Sequence, residues 1–155
     1  MLLRTLEPFA RPFVRLYARM RRGMTLGVRG LVTNAAGEVL LVKHTYLAGW
    51  YMPGGGIERG ETAEQALARE LVEEAGVRLV GRPRLVSMHS NHVKYPGDHV
   101  LIYRVTDWEP CPATSRGEIA ERGWFAVGAL PVDVTASTRR RIEEALQGLN
   151  SDPHW

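Results

Sequence analysis

Glu70, Glu73 and Glu74 fall within five residues of one another, in a run from Ala63 to Ala75 whose pattern reads as a helix. With each helical residue turned by about 100°, these three carboxylates share one arc with Ala63 and Ala66. Leu71, Ala75, Ala68 and Val72 lie opposite and are expected to face a core. Glu70 and Glu74 form a like-charge i,i+4 pair, and Glu73 adds a third charge, so the face repels itself by some tenths of a kcal/mol per pair. A divalent cation reverses that repulsion. Hard oxygen ligands suit Mg²⁺ or Mn²⁺, and Mg²⁺ commonly binds through a few carboxylates together with its waters and substrate phosphates. The small alanines beside the glutamates leave room for a hydrated ion and a phosphate chain. Just upstream, Gly54-Gly55-Gly56 lets the backbone approach a ligand closely.

These residues need elements to hold them. Thr62 is the expected N-cap of the acidic helix, with Gln65 completing a capping box and Gly76 closing the C-terminal end. Thr25–Thr33 and Glu38–Lys43 read as strands joined by the turn Asn34-Ala35-Ala36-Gly37, a hairpin pattern. Further strands are expected at Arg84–Ser90, His99–Thr106 and Gly123–Val127. A last helix, capped by Thr135 or Ser137, runs to about Gln147, with Arg139–Glu143 and Arg140–Glu144 as i,i+4 pairs on its wet side. Residues 12–23 read as a short helix with Phe13, Leu16, Tyr17 and Met20 on one face and Arg11, Arg15, Arg19 and Arg22 on the other. Strands mixed with separated helices predict an α/β domain with a mixed sheet. The expected division is a basic helical extension over 1–23, the domain over 24–149 and a tail over 150–155.

Composition bounds the alternatives. The 155 residues are 45% hydrophobic and 24% charged, as in ordinary globular domains, and no apolar run approaches the roughly 18–20 residues that cross a bilayer. The single cysteine, Cys111, cannot build a disulfide framework and fits a reducing, cytoplasmic setting. Seven arginines against Glu7 give residues 1–30 a charge of +6, so the other 125 residues carry −3 of the net +3. That asymmetry is read three ways: an anionic partner for the first segment, a merely solvated arginine face, or a contact with a second subunit in a homodimer.

Gly55, five residues, Glu61, seven residues, then Arg69-Glu70-Leu71-Val72-Glu73-Glu74-Ala75-Gly76-Val77 resembles the Nudix box at every fixed position. The entry Trp50-Tyr51-Met52-Pro53-Gly54 is similar to that family as well. The resemblance implies a Nudix-type α/β/α sandwich. It also implies hydrolysis of a phosphoanhydride in a nucleoside diphosphate linked to another group, X, with nucleic acid entering only as a substrate. By the same resemblance Glu70 and Glu74 are metal ligands, the Gly54 carbonyl is a further one, and the cofactor is Mg²⁺ or Mn²⁺. Glu73 completes the metal shell or takes the proton from water, Arg69 orients a carboxylate, and Gly55, Glu61 and Gly76 are structural. The run Gly117-Glu118-Ile119-Ala120-Glu121-Arg122-Gly123-Trp124-Phe125 is similar to the segment where a loop glutamate serves as metal ligand or base, which marks Glu118 and, less well placed, Glu121.

Four residues outside the box are candidates for contact with the substrate. Arg29 is able to reach a substrate anion. Tyr46 and Trp50 would stack on a base, or anchor loop and core. His99, after Asp98, would contact phosphate, or simply hydrogen-bond at a strand edge. No motif downstream or upstream of the box specifies X.

Overall fold

The computed structural model describes residues 23–115 and 117–155; the expected helix over 12–23 lies outside the described residues except for Gly23. In chain order the elements are β1 (Thr25–Val32), β2 (Val39–His44), β3 (Trp50–Tyr51), α1 (Ala63–Glu70) with a π turn at Leu71–Ala75, β4 (Val77–Leu79), β5 (Arg84–Ser90), β6 (Asp98–Val105), β7 (Trp108–Pro110), β8 (Ile119–Phe125), a 3₁₀ turn at Val127–Ala129 and α2 (Ala136–Gln147).

The turn after β1 forms as its sequence dictates. Asn34 Oδ1 accepts from the amides of Ala36 and Glu38 at 3.0 Å each, and Gly37 takes the left-handed conformation that the turn requires. The expected hairpin does not follow. One bridge, Thr33 to Val39, joins the strands before they part. The reason is burial: Val28, Leu31 and Val32 on β1, and Val39, Leu40, Leu41 and Val42 on β2, are all buried, so each strand needs cover on both faces. β1 therefore pairs in parallel with β6, which pairs antiparallel with β5, while β2 lies antiparallel between β3 and β8. β4 and β7 form a short third ladder.

Two hydrophobic layers fill the space on either side. Leu67 and Leu71 from the acidic helix pack with Val28, Val32, Tyr103 and Val105. Ile142, with Ala145 and Leu146, brings α2 against Leu31, Leu41, Trp50, Met52 and Ile102. A Cβ at Gly30 would crowd Leu71 and Leu67, which is why glycine stands where α1 approaches β1 most closely. The result is the α/β/α sandwich with mixed strands.

α2 starts at Thr135, whose hydroxyl accepts from the Thr138 amide, and ends at left-handed Gly148. Its wet-side pair Arg140–Glu144 does not form: Arg140 turns to Asp152, and Glu144 pairs with buried Arg141 at 2.8 Å. Asp152 belongs to the supposed tail, which is docked against β5. The Ser90 amide donates to the Pro153 carbonyl at 2.8 Å, and the Trp155 amide donates to the Ser90 carbonyl at 2.9 Å.

Candidate active site

The capping box at the start of α1 is complete: Thr62 Oγ1 accepts from the Gln65 amide, and Gln65 Oε1 accepts from the Thr62 amide. The helix does not stay α to Ala75, however. Over Leu71–Ala75 it widens to a π turn, the Gly76 amide donating to the Leu71 carbonyl five residues back. Such turns concentrate at functional sites, and here the turn carries Glu73 and Glu74. The Arg122 Nε from β8 donates to the Glu74 carbonyl, which ties the widened turn to the second sheet.

The loop before the helix is stitched to β1. The Val28 amide donates to Gly55, the Gly30 amide to Pro53, and the Ile57 amide to the Leu26 carbonyl. Glycine is required twice. Gly54 has φ +143°, and a Cβ there would overlap the Val28 carbonyl; a Cβ at Gly55 would overlap the Glu70 carboxylate.

Arg69 organises the acids. It donates to both oxygens of Glu61 at 2.8 and 3.0 Å, to Glu70 at 2.7 Å and to the Gly56 carbonyl at 3.1 Å, and stands 3.5 Å from Glu73. These contacts lock loop and helix together, and the bond to Glu61 holds its carboxyl down to about 2. Glu74 is the most buried acid, its side chain 7% exposed; it accepts from the Gly54 amide at 2.9 Å and stands 3.7 Å from His44 Nδ1. Burial raises the Glu74 carboxyl to about 7, against the Gly54 hydrogen bond and Arg29, with Glu70 and Glu118 adding to the rise. Burial also raises Glu70, partly offset by Arg69. Burial and Arg29 together lower His44.

Among the described residues no three His, Cys, Asp or Glu side chains stand ready to share one ion. Glu70 is turned to Arg69, and Glu74 to the Gly54 amide. The donor set still suits a hard divalent cation: buried Glu74 and half-buried Glu70 are both held above their ordinary range chiefly by burial, and the charges of Glu70 and Glu118 add to the rise at Glu74. A cation there relieves the charge that burial disfavours. The Gly54 carbonyl already accepts from Arg29 Nη1 at 2.7 Å, which also donates to Met52 at 3.1 Å, leaving the second lone pair of the Gly54 oxygen.

The buried Glu74 gives a testable pH dependence in the absence of divalent metal. Its folded value lies above the ordinary 4.5, so between those two values the folded state binds more protons than the unfolded one, and its contribution to stability is lost as pH rises through about 7. Glu74→Gln keeps an acceptor for the Gly54 amide and removes the titration. Its stabilisation over the parent is expected to be near zero at pH 5 and about 1–3 kcal/mol at pH 8, read by urea unfolding in chelator. An equal effect at both values would contradict the burial argument.

The other expected residues divide. Arg29 lines a hollow of about 280 Å³ beside Gly55 and Gly56, together with Tyr51 and Tyr95. Tyr46 is exposed at the rim, its ring 5.3 Å from His44. Glu118 is exposed just before β8, and its backbone carbonyl accepts from the Thr45 amide at 2.9 Å. Glu121 sits on β8 and pairs with Lys43 at 3.8 Å, away from the acids of the helix. One expectation is corrected: Trp50 is a core residue, packed edge-on against Phe125 at 5.0 Å, and offers no stacking face to a ligand. His99 lies on the α1 side of β6, opposite its neighbours Asp98 and Val100, which line the hollow. Sequence reasoning missed His44, Asn91 and Trp155; Arg122 it named only within the Glu118 segment. Only the aromatic-rich loop around His44 gave any hint.

Comparison with known proteins agrees with this geometry. The model of the NUDIX domain matches residues 23–146. An RNA pyrophosphohydrolase of Yersinia enterocolitica is 35% identical over 125 residues, covering 81% of this chain and 67% of the relative. The crystal structure of a MutT NUDIX hydrolase from Burkholderia pseudomallei superimposes with a TM-score of 0.66 at 26% identity, over 77% of this chain and 95% of that one. An ADP-ribose pyrophosphatase from Streptococcus suis shares the fold, with a TM-score of 0.65 at 21% identity over 84% and 95% of the two chains. With the box residues assembled on a π-ended helix against a glycine loop, the chain belongs to the Nudix hydrolase family and is a hydrolase acting on phosphoanhydrides.

Proposed function

We propose that the protein is a divalent-metal-dependent pyrophosphohydrolase acting on a nucleoside diphosphate linked to a further group. The observation that carries this reading is the pairing of buried Glu74 and half-buried Glu70, both raised by burial, with a glycine loop that leaves space for phosphate beside Arg29. Glu70, Glu74 and the Gly54 carbonyl would hold Mg²⁺ or Mn²⁺. When bound, such an ion neutralises phosphate oxygens and lowers the pKa of water.

The chain's own residues supply the rest. Arg69, clamped by Glu61, keeps the Glu70 carboxylate from turning away. Arg29, anchored through one nitrogen on Met52 and Gly54, aims the guanidinium edge at the hollow, where a phosphate oxygen meets a planar donor. Glu73, with its side chain 40% exposed, and Glu118, exposed across the opening, are the two acids free to accept a proton from the attacking water.

The test is a substrate panel of nucleoside triphosphates, nucleotide sugars, dinucleotides and 5′-triphosphate RNA with Mg²⁺ and Mn²⁺, the products identified by mass. The expected result is metal-dependent release of two phosphate-bearing products from at least one class. RNA is included because the Yersinia relative is named for it. Binding without turnover across the panel would identify the site as a nucleotide-sensing module instead.

A further inference from the structure

Residues 150–155 do more than end the chain's path. Arg141 on α2 is 1% exposed, and its guanidinium donates to the Asp152 carbonyl at 3.0 Å, the His154 carbonyl at 2.9 Å and Glu144 at 2.8 Å. His89, fully buried on β5, lies 2.6 Å from the same Asp152 carbonyl through Nδ1 and 2.8 Å from Ser87 Oγ through Nε2. Arg141 Nη1 also lies 2.5 Å from the same Nδ1, so the ring, the guanidinium and the Asp152 carbonyl form one buried polar cluster. Two backbone hydrogen bonds to Ser90 complete the docking. A segment held by a buried arginine, a buried histidine and a strand edge is a built part of the domain.

What the docking places is the Trp155 indole. It stands edge-on to His89 at 6.0 Å, packs against the core layer under α2, and forms a wall of the hollow that contains Arg29, Gly55 and Gly56. The same hollow presents Tyr51 and Tyr95 as further aromatic faces. Asn91 Nδ2 donates to Asp98 at 2.8 Å, and Thr25 Oγ1 donates to the other Asp98 oxygen at 2.6 Å, so the Asn91 amide is fixed and no described residue takes its Oδ1. Trp155 also lines a second hollow of about 310 Å³, beside Lys94, Arg140 and His154. With Asn91 and Lys94, which line both hollows as well, the indole stands at their junction as a partition.

We propose that Trp155 determines specificity by forming the face that a planar group of the substrate, a nucleobase or an equally flat heterocycle, stacks on when its phosphates lie at Gly55, Gly56 and Arg29. This rests on the phosphate placement in the function proposed above. A hollow of about 280 Å³ is near the lower end for small-molecule sites, about 300 Å³, so it admits one such group, and Trp155 blocks extension into the neighbouring hollow.

The experiment measures KM and kcat over the same panel, and calorimetric binding of ADP, GDP, CDP and UDP with Mg²⁺, for parent, Trp155→Ala and Trp155→Phe. For the preferred substrate, Trp155→Ala is expected to raise KM by about tenfold, the size of one lost base–aromatic stack, with kcat changed far less. Trp155→Phe restores most of the affinity, and the preference for compact over extended substrates shrinks in Trp155→Ala as the partition is removed. A purely structural indole would lower the folded fraction and scale kcat across all substrates alike. If the parent turns over a panel member and Trp155→Ala leaves KM, binding and preference unchanged, this proposal falls while the hydrolase reading stands. If the parent binds diphosphates without turnover, the reaction proposed falls, and the binding of Trp155→Ala still decides the stacking face. A parent that neither binds nor turns over any member overturns both.

Discussion

Glu74→Gln is expected to lower kcat/KM by about 10²- to 10⁴-fold, the span for loss of a positioned acid–base or metal-holding carboxylate, while the protein remains folded. The argument is geometric. The substitution is isosteric and keeps an oxygen for the Gly54 amide, now 2.9 Å from the carboxylate, so loop and helix stay in register. What disappears is one negative charge in a buried opening, where it is least screened by water and is most able to hold a cation. Glu70→Gln should act in the same direction, because Arg69 at 2.7 Å keeps Glu70 oriented whether or not it is charged. Glu73→Gln and Glu118→Gln then separate the remaining roles. The variant that loses rate with Mn²⁺ affinity retained identifies the base; the variant that loses both identifies a metal ligand. The control is thermal unfolding in chelator, where Glu74→Gln must be at least as stable as the parent above neutral pH. Hydrolysis by Glu74→Gln at the parent's rate under Mg²⁺ would remove the carboxylate cluster from the mechanism.

The ends of the acidic helix were legible in the sequence because their signals are local, whereas Ala66, expected beside the glutamates, is buried in the core layer with Leu67 and Leu71. Thr62, Gln65 and Gly76 fix its ends through contacts within a few residues, and the spacing of the glutamates is a property of one segment. The π turn was not legible. Within it the Glu74 carbonyl accepts from Arg122, 48 residues away, and a uniform wheel has no term for such a long-range donor. The same division explains the sheet. The Asn34–Gly37 turn forms as its residues require, yet the hairpin does not, because the partner of β1 is chosen by burial on both faces and lies about 73 residues downstream. The early start of β8 follows from pairing with β2, since Ala120-Glu121-Arg122 has no strand character of its own.

Side-chain direction was the other hidden quantity. Trp50 and His99 are residue types that commonly meet ligands, and each sits within a few residues of groups that line the opening. Strand alternation nevertheless sends His99 toward α1, and the bridge from Trp50 to Val134 seats the indole in the core. Trp155 is the converse case. In the sequence it follows Ser151-Asp152-Pro153-His154, a polar stretch with no periodicity, and its importance comes from Arg141 and His89, far from it in the chain.

Arg141→Met is expected to be the most destabilising single change in this region, and the way it destabilises is itself informative. Methionine fills much of the volume but leaves the His154 carbonyl without its donor and Glu144, whose side chain is 10% exposed, without its cation. Breaking a buried ion pair from one side costs about 3–5 kcal/mol, which for a chain of this size corresponds to a fall in Tm of about 10 °C. The domain has an escape: residues 150–155 can release from β5 and let water reach Glu144. The observable loss is then capped at the free energy of docking, and the core under α1 keeps its stability. Hydrogen exchange distinguishes the two outcomes. Release predicts that the Ser90 and Trp155 amides, bonded across this junction at 2.8 and 2.9 Å, lose protection while amides of β1 and β6 do not. Global loss predicts that all fall together. On release the indole leaves its wall, so Arg141→Met then reproduces the KM increase of Trp155→Ala without touching the opening, whereas under global loss the folded molecules keep the parent's KM. Unchanged stability and unchanged protection at Ser90 would show that the buried arginine does not hold the segment in place.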